Sequence, residues 1–180
     1  CFLLKINFIV LKNITNVQLR SARQILNLGV RDIARLLKVS KATISKAELG
    51  KTRDFFFKNS AALRDYFEAH KIIFPNEYTI RIIPADTQEA LSNDIDYLNR
   101  FQLKGSRCLL QLSQQMLACK AGIDRNIISR AELLNNSKKI TSSNKEAISQ
   151  IKLVFNNHNI ELPEPYLIFF KKYIDNPSNG

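Results

Sequence analysis

Glycine and proline are scarce in this 180-residue chain, at five each, and tryptophan is absent. So few glycines leave little room for phosphate-cradling loops. Neither G-x-x-x-x-G-K-[ST] nor G-x-G-x-x-G occurs, which argues against ATP and dinucleotide chemistry. Histidine is limited to His70 and His158, and cysteine to Cys1, Cys108 and Cys119. An odd, scattered cysteine count without C-x-x-C argues against a disulfide framework and for a reducing, cytoplasmic compartment. Cys108 and Cys119 lie in apolar-periodic runs and are expected to be buried thiols. With the two histidines they form no zinc spacing, and no metal, cofactor or catalytic arrangement emerges. Both histidines fall at the ends of helices and are read as structural.

Acidic residues are also in short supply. Asp and Glu number 16 against 27 Lys and Arg, a formal net charge of +11. A balance that lopsided favours polyanionic partners, nucleic acid first and an anionic membrane surface second. Apolar residues make up 45% and charged residues 24%, ordinary globular usage for one large domain or two small ones. No run is long enough to span a bilayer. The stretch Phe2 to Leu11 is broken by Lys5 and Asn7. It lacks a basic leading stretch and a small-residue cleavage site, so it reads as a strand and not as a signal peptide.

What organises the chain is a repeat. Sliding the sequence by 84 residues lays Gln18–Leu49 on Gln102–Leu133 without a gap, with Arg23 on Arg107, Ala34 on Ala118, Ile44 on Ile128 and Glu48 on Glu132. Eleven pairs are identical, where about two would arise by chance, so the match is a duplication. Beyond a four-residue insertion in the second copy the offset becomes 88, placing Leu63–Pro75 on Ile151–Pro163 and Ile80 on Ile168. The chain thus divides into an N-terminal strand (1–12), a first unit with its strand (13–83), an acidic linker (84–98), a second unit with its strand (99–174) and a tail (175–180). The linker carries Asp86, Glu89, Asp94 and Asp96 and no Lys or Arg.

Within the first unit, helical spacing predicts helices over Val17–Leu26, Arg31–Leu37 and Lys41–Leu49, with Ser40 as N-cap and Gly50 at the C-terminal end of the third. The second unit repeats this, with Asp124 capping Arg125–Leu134. Only about three residues separate the second and third helices, the geometry of a helix-turn-helix. A poorly marked fourth helix and a last one (Asn59–His70, Asn144–Asn157) complete each bundle. Tyr78–Ile83 and Tyr166–Tyr173 read as strands.

Leu28-Gly29-Val30-Arg31-Asp32-Ile33-Ala34 followed by Val39-Ser40-Lys41-Ala42-Thr43-Ile44-Ser45-Lys46-Ala47-Glu48-Leu49-Gly50 resembles the phage-repressor/Cro (Xre-type) helix-turn-helix family. Leu112 to Ala118 with Ile123 to Glu132 resembles it again, and the two matches cover most of the chain. The resemblance implies a mainly α protein of two tandem lambda-repressor-like five-helix domains. A small sheet would form from the N-terminal strand and the strand after each domain. It implies a bacterial or phage transcriptional regulator, not an enzyme, that binds double-stranded DNA with its third helices in the major groove. Base-reading positions are then Lys41, Ala42, Thr43 and Lys46, with Arg125, Asn126, Ile127 and Arg130. Arg and Lys donate to guanine, Asn pairs with adenine, and Thr or Ile touches a thymine methyl. Phosphate contacts fall to Arg31, Ser40, Lys51 and Gln114. Arg23 with Glu48, and Arg107 with Glu132, match positions that tie the first helix to the end of the reading helix.

The copies depart from the pattern differently. The Ser-Gln that opens helix two is present as Ser113-Gln114 but is Gly29-Val30 in the first copy. The turn glycine is present as Gly122 but is Lys38 in the first. If the strands after the two units pair, the copies form a pseudo-dimer within one chain; pairing between chains, giving a homodimer, is the alternative. A second function class is a protein-interaction module, antitoxin-like or scaffold, which exposure of Phe55-Phe56-Phe57 would favour. No small-molecule ligand and no membrane partner is indicated.

Overall fold

The computed structural model describes residues 13–52, 54–83, 97–135, 140 and 145–170. The proposed N-terminal strand, most of the acidic linker, the tail and Cys1 lie outside the described residues.

The chain is mainly helical. Four helices, α1 (Asn16–Ile25), α2 (Val30–Leu36), α3 (Lys41–Glu48) and α4 (Phe55–Ala69), are followed by strands β1 (Ile72–Ile73) and β2 (Thr79–Ile82). The order then recurs as α5 (Arg100–Leu109), α6 (Gln114–Ala121), α7 (Arg125–Ala131), α8 (Lys145–Asn157), β3 (Ile160–Glu161) and β4 (Leu167–Phe170). Capping chemistry explains the matched starts. Thr15 and Gln18 form a reciprocal capping box on α1, and Asn99 and Gln102 form its counterpart on α5. Ser40, Ser113 and Asp124 each accept a backbone N–H in the first turn of the helix they precede. The turns match as well. Asn27, Lys38 and Lys71 adopt left-handed φ values of 59°, 53° and 64°, and their counterparts Gln111, Gly122 and Asn159 adopt 56°, 62° and 60°.

Two expectations need correction. Five helices per unit were expected. In the first half the described residues between α3 and α4 are not helical, and the last helix begins at Phe55, absorbing the place of a fourth. Asp54 stands at the N-cap but makes no side-chain cap bond. The sheet also differs from expectation, because each half adds a two-residue strand. Its described order is β1-β2-β4-β3, antiparallel throughout.

At the centre of the sheet β2 meets β4, with Ile80 opposite Ile168, Thr79 opposite Phe169 and Arg81 opposite Leu167. Flanking bonds are reciprocal: Ile82 N–H donates to the Tyr166 carbonyl at 3.0 Å, and Phe170 N–H to the Tyr78 carbonyl at 2.9 Å. Above the sheet α1 packs on α5, the most extensive contact between elements. Ser21 Oγ donates to the Gly105 carbonyl at 2.9 Å. A Cβ at Gly105 would meet the tip of the Ile168 side chain, which would have to shift. One continuous core results, running from Ile33, Ile44 and Phe67 in the first half through Ile25, Ile80, Phe101 and Ile168 to Leu117, Ile128 and Phe155. Each such fully buried large side chain contributes about 1.5–3 kcal/mol of transfer free energy.

Candidate nucleic-acid interface

Helices α3 and α7 turn one face inward and one outward. Ile44, Ala47 and Glu48 are buried on α3, and Ile128, Ala131 and Glu132 at the matching positions of the second half. The opposite face carries Lys41, Ala42 and Lys46 on α3, and Arg125, Asn126 and Arg130 on α7, all exposed, with Thr43 and Ile127 half-buried. The caps fix the first turns. Ser40 Oγ accepts from Thr43 N–H at 3.1 Å and lies 2.9 Å from Thr43 Oγ1. Asp124 Oδ1 accepts from Asn126 N–H at 2.7 Å.

Among the described residues the exposed basic side chains are unevenly divided. Arg31, Arg35, Lys38, Lys41, Lys46 and Lys51 surround α2 and α3, whereas Lys120, Arg125 and Arg130 accompany α6 and α7. Gln114 is half-buried, and its Nε2 donates to Glu132 Oε2 at 2.9 Å, so its amide is turned toward the carboxylate. Val30, in the matching place, has no such group.

Each outward-facing helix is anchored by a buried ion pair. Arg23 Nε and Nη2 grip the two Glu48 oxygens at 2.6 and 2.8 Å, while Nη1 donates to the Leu28 carbonyl at 2.7 Å. Arg107 does the same to Glu132 at 2.6 and 2.7 Å and to the Leu112 carbonyl at 2.8 Å. Burial acts to lower the Arg107 pKa, but the hydrogen bond to Glu132 and nearby charges prevail and raise it. The planar fork matches a carboxylate in a way lysine cannot.

A second set of cations ties these helices to the opposite half. Arg20 donates to the Glu48 carbonyl at the end of α3 (3.0 Å) and to the Cys108 and Leu109 carbonyls at the end of α5 (2.9 and 3.1 Å). Arg100 mirrors it, donating to the Glu132 carbonyl beyond α7 (2.8 Å), the Ile25 carbonyl of α1 (3.0 Å) and Asn27 Oδ1 (2.8 Å). Lys104 Nζ also donates to Asn27 Oδ1. Burial lowers the pKa of Arg20 and Arg100, with Glu48 and Glu132 respectively opposing it. Helix C-termini, rich in unsatisfied carbonyls, are natural partners for such cations. Sequence reasoning missed this trio. Its signal was a set of cations flanking small residues, Ser21 and Ala22 on α1 and Gly105 and Ser106 on α5, where helices can approach closely.

Cys108 is buried, but Cys119 is exposed, correcting the expectation of two buried thiols; α6 is short and turns only Leu117, Ala118 and Ala121 inward. Phe55 is buried and Phe56 half-buried, leaving Phe57 exposed. His70 and His158 each place Nδ1 2.7 Å from the carbonyl one turn back, Tyr66 and Val154. Among the described residues no group of three or more His, Cys, Asp or Glu is placed to hold a metal ion, and no helix is long and apolar enough to cross a membrane. No family model matches the chain, and no curated protein or solved structure matches it at a significant level.

Proposed function

We propose that this protein is a cytoplasmic transcriptional regulator that binds double-stranded DNA sequence-specifically. In this reading the two halves are tandem helix-turn-helix units of the repressor/Cro kind acting as a pseudo-dimer, with α3 and α7 in the major groove. The observation that carries it is the pair of outward faces, Lys41-Ala42-Thr43 with Lys46 and Arg125-Asn126-Ile127 with Arg130. They stand at matching positions, on short helices whose opposite faces are locked to the core by the Arg23–Glu48 and Arg107–Glu132 pairs. Side chains of these types suit base edges and phosphates, and Arg31, Ser40 and Lys51 beside them suit the backbone.

The protein-interaction reading loses support at its own discriminating feature. Two of the three phenylalanines that would have formed an apolar patch are drawn into the fold, and a lone exposed Phe57 is ordinary surface.

Binding to a fluorescent duplex across a salt series tests the proposal. Affinity is expected to fall on a log–log plot with a slope of about −0.9 per neutralised phosphate. Absence of binding at low salt, or indifference to salt, would reject it.

A further inference from the structure

We infer that the DNA site is an inverted pair of unlike half-sites covered by a single chain, one half specified by base contacts and the other held chiefly through its backbone. This rests on the DNA-binding reading above and adds the form of the site.

The relation between the halves is a half-turn, not a translation. Ile80 and Ile168 occupy the same place in the repeat and face each other across β2 and β4. Their neighbours pair reciprocally, since Phe169 opposite Thr79 is the counterpart of Arg81, and Leu167 opposite Arg81 is the counterpart of Thr79. Ser21 and Gly105 are likewise counterparts and are joined by a hydrogen bond. Ile168 lies against Gly105, so the strand pair and the helix pair, each joining counterpart residues, meet at one place. A half-turn that carries α3 onto α7 matches the two-fold symmetry of a duplex, and two half-sites read this way run in opposite senses.

Both of these pairing surfaces are occupied within the chain, so the pairing needs no second molecule. Nor are the halves interchangeable. Arg100 and Lys104 share Asn27 Oδ1, and the counterpart of Asn27 is Gln111. Two second halves placed face to face would bring two Arg100 and two Lys104 together without that asparagine.

The reading faces then set unlike demands. Arg125 and Asn126 are forked, bidentate groups suited to guanine and adenine edges. Lys41 and Lys46 are point charges around the small Ala42, with Arg31, Arg35, Lys38 and Lys51 exposed nearby among the described residues.

The test is selection of duplexes from a random pool by the full chain, followed by the graft K41R/A42N/T43I/K46R. The wild type is expected to enrich one sharply defined block, with a weakly defined block inverted and about one helical turn away. One chain per duplex is expected in sedimentation. The graft is expected to enrich a palindrome of the sharp block and to bind it at least tenfold more tightly than the wild type does. The reverse graft R125K/N126A/I127T/R130K, on the other half, is expected to flatten the sharp block. A wild-type chain that selects a palindrome or a direct repeat, or that requires two chains per duplex, overturns the inference and leaves DNA binding standing. A pool with no enrichment and no retained duplex removes the DNA-binding reading, and the inference with it.

Discussion

Ile168 of β4 fills the space where a Cβ on Gly105 of α5 would sit. The strand pair and the helix pair are therefore pressed together where the two halves meet, and Ser21 Oγ beside the same contact donates to the Gly105 carbonyl.

A methyl group at this point should be felt. Gly105→Ala removes the helix penalty of glycine, worth about 1 kcal/mol, yet overpacking is expected to outweigh it. Overpacking of about 1–3 kcal/mol less that gain leaves a net loss of about 0–2 kcal/mol in denaturant unfolding. A stability gain would show that the contact is loose.

The buried carboxylates are the next point of leverage. Glu132→Ala leaves Arg107 buried without its partner and frees Gln114, and Glu48→Ala does the same to Arg23. Each is expected to cost about 3–5 kcal/mol, whereas replacing both members of a pair with apolar residues of similar volume should cost far less. Unfolding of the single and paired variants measures the difference.

Backbone strain separates the two turns. Lys38 holds a left-handed φ that its counterpart Gly122 adopts without penalty. Lys38→Gly should stabilise the fold by about 1 kcal/mol, and Gly122→Ala, with open space around its Cβ, should destabilise it by a similar amount through conformation alone. Thermal unfolding of both variants checks the pair.

Lys104 is 9% exposed. Burial, and then Arg100, holds its pKa below the ordinary 10.5, with Glu132 and Cys108 opposing and Arg107 assisting. Between that lowered value and 10.5 the unfolded chain binds more protons than the folded one, so this group makes stability rise with pH. The buried Cys108 thiol, pushed above 9.0, acts oppositely from 9.0 upward, since there the folded state keeps a proton the unfolded state loses. Comparing wild type with Lys104→Met isolates the lysine. The wild type should gain stability relative to the variant as pH rises through the window, and a flat difference would contradict the burial of a charged lysine.

The repeat made much of this architecture legible. Offsets of 84 and 88 residues, as in Glu48/Glu132 and Ile80/Ile168, carry over to helix starts, turns and strand register. Ser40 and Asp124 announced their helices because short oxygen acceptors there satisfy orphan N–H groups. The Arg20, Arg100 and Lys104 anchors were signalled only by the small residues beside them, Ser21, Ala22, Gly105 and Ser106, because cations on an amphipathic helix ordinarily face water and only the α1–α5 contact buries these. The start of α4 was missed although Asp54 stands before it, and β1 and β3 because two residues carry no periodicity.

If α3 and α7 read DNA as proposed, they should divide their labour. Arg125→Ala or Asn126→Ala is expected to cost about 1–3 kcal/mol on a selected duplex and to relax preference at particular bases. Lys41→Ala or Lys46→Ala should weaken binding evenly across sequences and reduce the salt slope by about one. Titrations on the selected and a scrambled duplex compare them; the reverse pattern would assign base reading to α3.

Amide chemical-shift mapping of the isotope-labelled chain titrated with a selected duplex tests the central claim most directly. The account predicts that the largest changes cluster on Arg31, Ser40, Lys41–Lys46, Lys51, Gln114 and Arg125–Arg130, while the amides of α4 and α8 remain near their free positions. Changes confined to the surface around Phe57, or none on α3 and α7 with duplex in excess, would contradict it.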